Sequence, residues 1–123
     1  MSVEENKAIV RAWLAARNVH DVEAAVAHWI EEQQADLRSS FNSFTTAFPD
    51  VQINVEDMIG EGDKVVVQWT FHGTHRGPFQ GIPATGKIVE WDGLDLYIMT
   101  DGKIASLTRK ADSRALLQQL GVA

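Results

Sequence analysis

The sequence predicts an α+β domain in which N-terminal helices cover a strongly curved antiparallel sheet, shaped as a half-open cone. Three observations lead there. Val65, Val67, Trp69 and Phe71 alternate with Val66, Gln68, Thr70 and His72, the period of a strand with two chemically different faces. A second apolar-rich run, Ile88 to Met99, turns at Asp101-Gly102 into a third strand, Lys103 to Ala111. This meander has one face to bury and no helix of its own, so the N-terminal third, whose apolar residues recur at helical spacing, must supply the cover.

The elements follow in order. Ser2 and Glu5 are spaced as a capping box, opening a helix whose stripe of Ile9, Val10, Trp13, Leu14 and Ala16 runs to Asn18. Asp21 is placed to cap a second helix carrying Val22, Ala25, Val26, Trp29 and Ile30. Leu37, Phe41, Phe44 and Phe48 mark a third amphipathic segment, which Pro49 stops. Glu31 to Asp36 contains no breaker, so the second and third segments read equally well as one helix or two. Val51, Ile53 and Val55 alternate with polar residues as a first strand, and Glu61-Gly62-Asp63 turns it into the meander. Ser113 is placed to cap a last short helix with Leu116, Leu117 and Leu120, closed by Gly121.

Composition narrows the function classes. A chain of 123 residues is one domain, spanning 1–123, with enough length for a real core. The net charge of -6 and the lack of a basic run argue against nucleic acid as a partner. With no cysteine there is neither a disulfide nor a thiolate metal site. No leader opens the chain and no apolar run approaches membrane-spanning length, so a cytoplasmic protein with no membrane partner is the expectation.

Several phrases then carry a family likeness. Phe48-Pro49-Asp50, Gly62-Asp63, Thr70 to Gly77 (TFHGTHRG), Gly81 to Gly86 (GIPATG), Asp101-Gly102-Lys103-Ile104 and Leu116 to Gly121 (LLQQLG) together resemble the SnoaL-like polyketide cyclases, in the same order along the chain. The resemblance implies the cone fold of nuclear transport factor 2 and ketosteroid isomerase. It also implies a cofactor-free intramolecular aldol closure on an aromatic polyketide ester, and it makes Asp112, at the start of the last helix, the acid/base. Relatives usually have a longer segment between the second helix and the Phe-Pro-Asp phrase, and many carry an aromatic where this chain has Leu107-Thr108. Both departures predict a wider, less enclosed pocket.

The residues themselves supply the parts such chemistry needs. Aldol closure requires a base for the proton beside a carbonyl and a donor for the developing oxyanion. Ile104, Ser106, Thr108, Lys110 and Asp112 share strand parity, which would turn Asp112 and Thr108 to the same side as Ile104. Glu90, Asp92 and Asp95 are further carboxylates, and any one of them facing inward would be a rival base. His72 and His75 are candidate proton carriers or oxyanion donors; they lack a third partner for a metal, and no metal or cofactor is expected. His72 has the opposite parity from Trp69, so only one of the two faces the pocket without a bulge. Trp29, Phe44, Trp69 and Trp91 are candidate walls for a small apolar ligand, set against the more frequent role of aromatics as plain core. Two function classes result: an acid/base enzyme of the cyclase type, or a non-catalytic small-molecule-binding or dimerisation module on the same cone. An epoxide hydrolase built on Arg109, Asp112 and Arg114 fits less well. A homodimer is expected, since members of this fold often pair through the outer sheet face.

Overall fold

The computed structural model describes residues 1–121. Helices α1 (Val3–Asn18), α2 (Val22–Val26) and α3 (Glu31–Ala47) precede strands β1 (Gln52–Glu61), β2 (Lys64–Thr74), β3 (Ile88–Thr100) and β4 (Lys103–Ala111), and α4 (Ser113–Leu120) follows. The capping box forms as spaced: Ser2 Oγ accepts from the Glu5 amide and Glu5 Oε1 accepts from the Ser2 amide, both at 3.1 Å. Asp21 Oδ1 likewise accepts from the Ala24 amide at 3.1 Å. The second and third segments prove to be separate helices. The Ile104 amide of β4 donates to the His28 carbonyl at 2.8 Å, and the Ile30 amide returns a bond to the Ile104 carbonyl at 3.0 Å. This short parallel bridge at Trp29 pulls the chain straight for a few residues. A tertiary contact therefore decides what the local sequence left open.

The sheet is open, antiparallel throughout and ordered β1-β2-β3-β4. Its concave face carries Ile53 and Met58 from β1, and Val65, Val67, Trp69 and Phe71 from β2. From β3 come Val89, Trp91, Tyr97 and Met99, with Asp95 as the one charged residue of that parity. Helix α1 lies across β1 and β2 and contributes Val10, Trp13 and Leu14 to the core. Two bulges curve the sheet, one at Glu56 and one at Ala105. The second has a large consequence. Met99 pairs with Ile104 but Ile98 pairs with Ser106, so Ala105 is unmatched and the parity of β4 inverts beyond it. Ile104 faces inward, and so do Leu107, Arg109 and Ala111; Thr108 and Lys110 face outward.

The loop between β2 and β3 is a fixed structure built on the motif residues. Asp50 accepts from the Thr74 amide at 2.7 Å and from Thr74 Oγ1 at 2.6 Å. The amides of Arg76 and Gly77 both donate to the Ala47 carbonyl, capping the end of α3. Any side chain at position 77 would put its Cβ 2.3 Å from the Thr46 carbonyl oxygen, which accounts for the glycine. At the other end of the chain, the α4 cap is Asp112 rather than Ser113: Asp112 Oδ1 accepts from the Ala115 amide at 2.9 Å.

Asp50 ties the Phe-Pro-Asp turn to a strand end whose Thr74 is 7% exposed, so Asp50→Ala leaves a buried amide unmatched. The expected cost is about 1–3 kcal/mol in chemical unfolding. The Thr74 hydroxyl and amide, outweighing partial burial, hold the Asp50 carboxyl below its ordinary value. The ionised form is thus favoured in the fold. Its contribution should be present above the unfolded value of ~3.9 and fade as pH falls through the lowered native one. Denaturation midpoints of wild type and Asp50→Ala should therefore converge in acid.

Candidate active site

A single carboxylate on the concave face organises the site. Asp95 is 1% exposed, and its period-two position between Gly93 and Tyr97 on β3 aims it into the cone. Arg109, brought inward by the Ala105 bulge and paired directly across the ladder, donates through Nε to Asp95 Oδ1 at 2.8 Å and through Nη2 to Oδ2 at 3.0 Å. Tyr97 donates its hydroxyl to Asp95 Oδ2 at 3.0 Å and in turn accepts from Trp13 Nε1 at 3.3 Å. The Arg109 guanidinium also lies 5.1 Å from the centre of the Trp69 ring. Gly93 makes that stacking possible, because a Cβ there would meet the Trp69 ring at 2.7 Å.

Around this network runs a cleft lined by Leu14, Arg17, Phe44, Ile53, Trp69, Phe71 and Trp91 as well as the ion pair. Its walls are edge-to-face aromatic pairs: Trp69–Trp91 at 5.6 Å, Phe71–Trp91 at 5.9 Å and Phe44–Phe71 at 6.0 Å. The free volume inside is about 10 Å³, room for one water at most. The wide pocket expected from the short segment before α3 is therefore not present. Helix α3 supplies its own cover, and Phe44, Phe48 and Phe79 pack together where the opening would be. A larger groove of mixed character lies outside, between α3 and the Pro78–Gln80 turn, and Phe44 belongs to both hollows.

The electrostatics follow from burial and pairing. Burial pulls the Arg109 guanidinium down, but the hydrogen bonds and charge of Asp95 outweigh it and the net shift is upward. Tyr97 is pushed well above the ordinary phenol value, first by burial and then by the Asp95 charge, so it stays a donor. Arg17, half-buried and stacked 5.3 Å from the Trp13 ring, is lowered to about 10, first by burial and next by the Arg109 charge.

The residues singled out by sequence divide cleanly. Trp69, Trp91 and Phe44 meet at the cleft. Asp112 does not; its carboxylate is exposed at the α4 cap, and only its carbonyl approaches, accepting from Trp91 Nε1 at 2.9 Å. Thr108 is exposed on the outer face, on the same side as Asp112 and opposite to Ile104, because of the bulge. His72 also faces out, 3.8 Å from Glu90, while Trp69 takes the inward parity. His75 is fully buried away from the cleft: Nδ1 accepts from the Thr85 amide at 3.2 Å and lies 3.0 Å from Thr85 Oγ1, and the ring stacks near Phe48. Trp29 packs edge-on against Trp13 at 5.5 Å, in the core beneath α1. Among the described residues no group of three His, Asp or Glu is arranged to hold a metal ion, and no helix is long and apolar enough to cross a membrane. Sequence reasoning placed Asp95 among rival carboxylates but overlooked Arg17 and the inward turn of Arg109. The available signal was parity: Val89, Trp91, Asp95, Tyr97 and Met99 form one apolar file with a single charge in it.

Comparison with known proteins places this α+β cone in a family. The profile of the SnoaL-like polyketide cyclases matches residues 7–120, and the chain belongs to that family. Among solved structures, AclR from Streptomyces galilaeus, a hydroxylase candidate, is 30% identical over 99% of this chain and 88% of its own, with a TM-score of 0.90. TsrD from Streptomyces laurentii is 25% identical over 100% and 99% of the two chains, with a TM-score of 0.92. A SnoaL-like polyketide cyclase candidate from Jannaschia sp. CCS1, 20% identical over 98% and 94%, shares the fold with a TM-score of 0.86. A comparison with curated proteins gives no match.

Breaking the pair from one side should be costly. Arg109→Met strands a carboxylate that is 1% exposed, and the expected loss is about 3 kcal/mol, the low end for a buried pair because Arg109 keeps 27% of its side chain exposed. Denaturant unfolding measures it. Asp95→Leu combined with Arg109→Met should recover most of that loss, since no uncompensated charge remains.

Proposed function

We propose that this protein is a cofactor-free acid/base enzyme acting on a small, largely apolar carbonyl compound, with intramolecular aldol ring closure as the reaction. Family membership supports the reaction class. The observation that carries the reading is Asp95, a carboxylate held on the concave face among Phe44, Phe71, Trp69 and Trp91. In this reading the base role that the family resemblance gave to Asp112 passes to Asp95, while Asp112 holds α4.

A carboxylate accepts about four hydrogen bonds, and Arg109 and Tyr97 make three, leaving Oδ1 able to take a proton. The proton leaves the carbon beside the substrate carbonyl and goes to Oδ1. The electron pair moves onto the carbonyl oxygen, where cationic and N–H donors of the cleft wall stabilise it. The resulting enolate carbon then forms a bond to a second carbonyl of the same molecule, and the new alkoxide takes the proton back from Asp95. Arg109 fixes the carboxylate in place through its two hydrogen bonds.

A second reading, a non-catalytic binding module, draws support from the small free volume of the cleft and the nearly saturated Asp95 oxygens. One experiment separates the two. Aryl 1,3-dicarbonyl compounds in D2O exchange their central hydrogens, and NMR follows the rate. Wild type should accelerate the exchange, Asp95→Asn should lose at least a hundredfold of it, and Asp112→Asn should keep most. Binding with no acceleration, or equal loss in both variants, sinks the enzyme reading.

The expected homodimer finds support on the outer sheet face. Ile59 (61% exposed), Val66 and Leu96 lie in register across three strands, with Leu94 (49% exposed) beside them. Light scattering should give twice the chain mass, and Leu96→Glu should halve it without lowering the helical content.

A further inference from the structure

Hydrogen-bond donors outnumber acceptors in the cone. Arg17 lines the cleft from the end of α1, and among the described residues its guanidinium has no carboxylate or carbonyl partner, only the Trp13 ring. Trp69 lines the same cleft at 3% exposure, and its Nε1–H is buried without a partner. Asp95 already accepts three bonds from Arg109 and Tyr97, and neither Arg17 nor Trp69 bonds to the acceptor position left on Oδ1. Two guanidiniums therefore face one carboxylate, and with Tyr97 protonated the cleft carries one positive charge in excess. That charge sits inside a chain of net charge -6, so overall charge does not account for it. A half-buried cation without an anion costs stability, and such a cost is retained where a ligand later offsets it.

We propose that the cleft takes a planar aromatic ligand bearing an anionic oxygen, as a carboxylate, phenolate or stabilised enolate, with the oxygen on Arg17 and Trp69 Nε1 and the ring between Phe44 and the Trp69–Trp91 wall. This rests on the cleft being the binding site of the preceding section and adds the charge of what enters it. The geometry favours an anion over a neutral carbonyl compound because both free donors lack any acceptor of their own. A planar ring follows from the lining, since Phe44, Phe71, Trp69 and Trp91 pack edge-to-face and offer ring faces and edges to a further ring. Phe44, shared with the outer groove, is the side chain that must yield for the ring to enter.

The test uses the whole protein and four probes: 2-naphthoate, its methyl ester, 2-naphthol below its pKa and 2-naphtholate above it. Calorimetry and the indole N–H signals of ¹⁵N-labelled protein report binding. Naphthoate should bind and shift the Trp69 signal, with the methyl ester at least tenfold weaker. Arg17→Met should lose at least tenfold for naphthoate and little for the ester, while Arg17→Lys should recover part of it. The melting temperature of Arg17→Met should be unchanged or higher. Equal affinity for acid and ester, an unmoved Trp69 signal, or a lower melting temperature in Arg17→Met without loss of binding overturns the proposal. The carboxylate and phenolate sources separate by which anion gains over its neutral form. Asp95→Asn should still bind naphthoate; wild-type protein that binds naphthoate but does not accelerate carbon-acid exchange would count against the enzyme reading alone.

Discussion

The Asp95–Arg109 pair is the constraint on which the rest of the cone depends. A carboxylate at 1% exposure is tolerable only with a strong partner, and the partner must come from the neighbouring strand at the same level. Unmodified pairing of β4 would have sent Arg109 outward. The bulge at Ala105 is what brings it in, and Gly93 is what leaves space for the Trp69 ring to lie against it. Tyr97 and Trp13 extend the same network to α1. A polar chain thus runs from the sheet to the helix that covers it, and it fixes the depth at which that helix sits.

Most of the architecture was legible in the residues, because its signals are local. The Ser2–Glu5 and Asp21 caps, the stop at Pro49, the turns at Gly62-Asp63 and Asp101-Gly102, and the alternation of β2 each follow from bonding within a few residues. The failures are of another kind. Nothing between Glu31 and Asp36 says that the helix is broken before Glu31, since the break is made by hydrogen bonds to Ile104, distant in sequence. The assignment of Asp112 and Thr108 to the inner face rested on unbroken parity from Ile104, and one unmatched residue reversed it. A bulge is a property of two strands, so a single strand's pattern does not display it.

The candidate site shows the same division. Trp69, Trp91 and Phe44 were found because aromatics in a meander and on an amphipathic helix announce a buried face. His72 and His75 were drawn in by residue type, but one sits on the outer face and the other staples a loop through Thr85. Arg17 carries no sequence signal beyond a basic residue at a helix end, where the helix dipole explains it equally well. Its meaning depends on what it faces, and that is known only once α1 is laid across the sheet.

One ring separates the inner cleft from the groove outside. Phe44 packs against Phe71 and Phe79 at 6.0 and 5.7 Å, and aromatic pairs of this kind are worth about 0.5–1.5 kcal/mol each. Were the proposed ligand to enter past Phe44, occupancy of the cone and displacement of this ring would be a single equilibrium. Observed affinity would be weaker than intrinsic affinity by the fraction of molecules in which the ring has swung aside. Selection acting on position 44 alone would then adjust how readily the cone is entered, leaving the charges within it untouched.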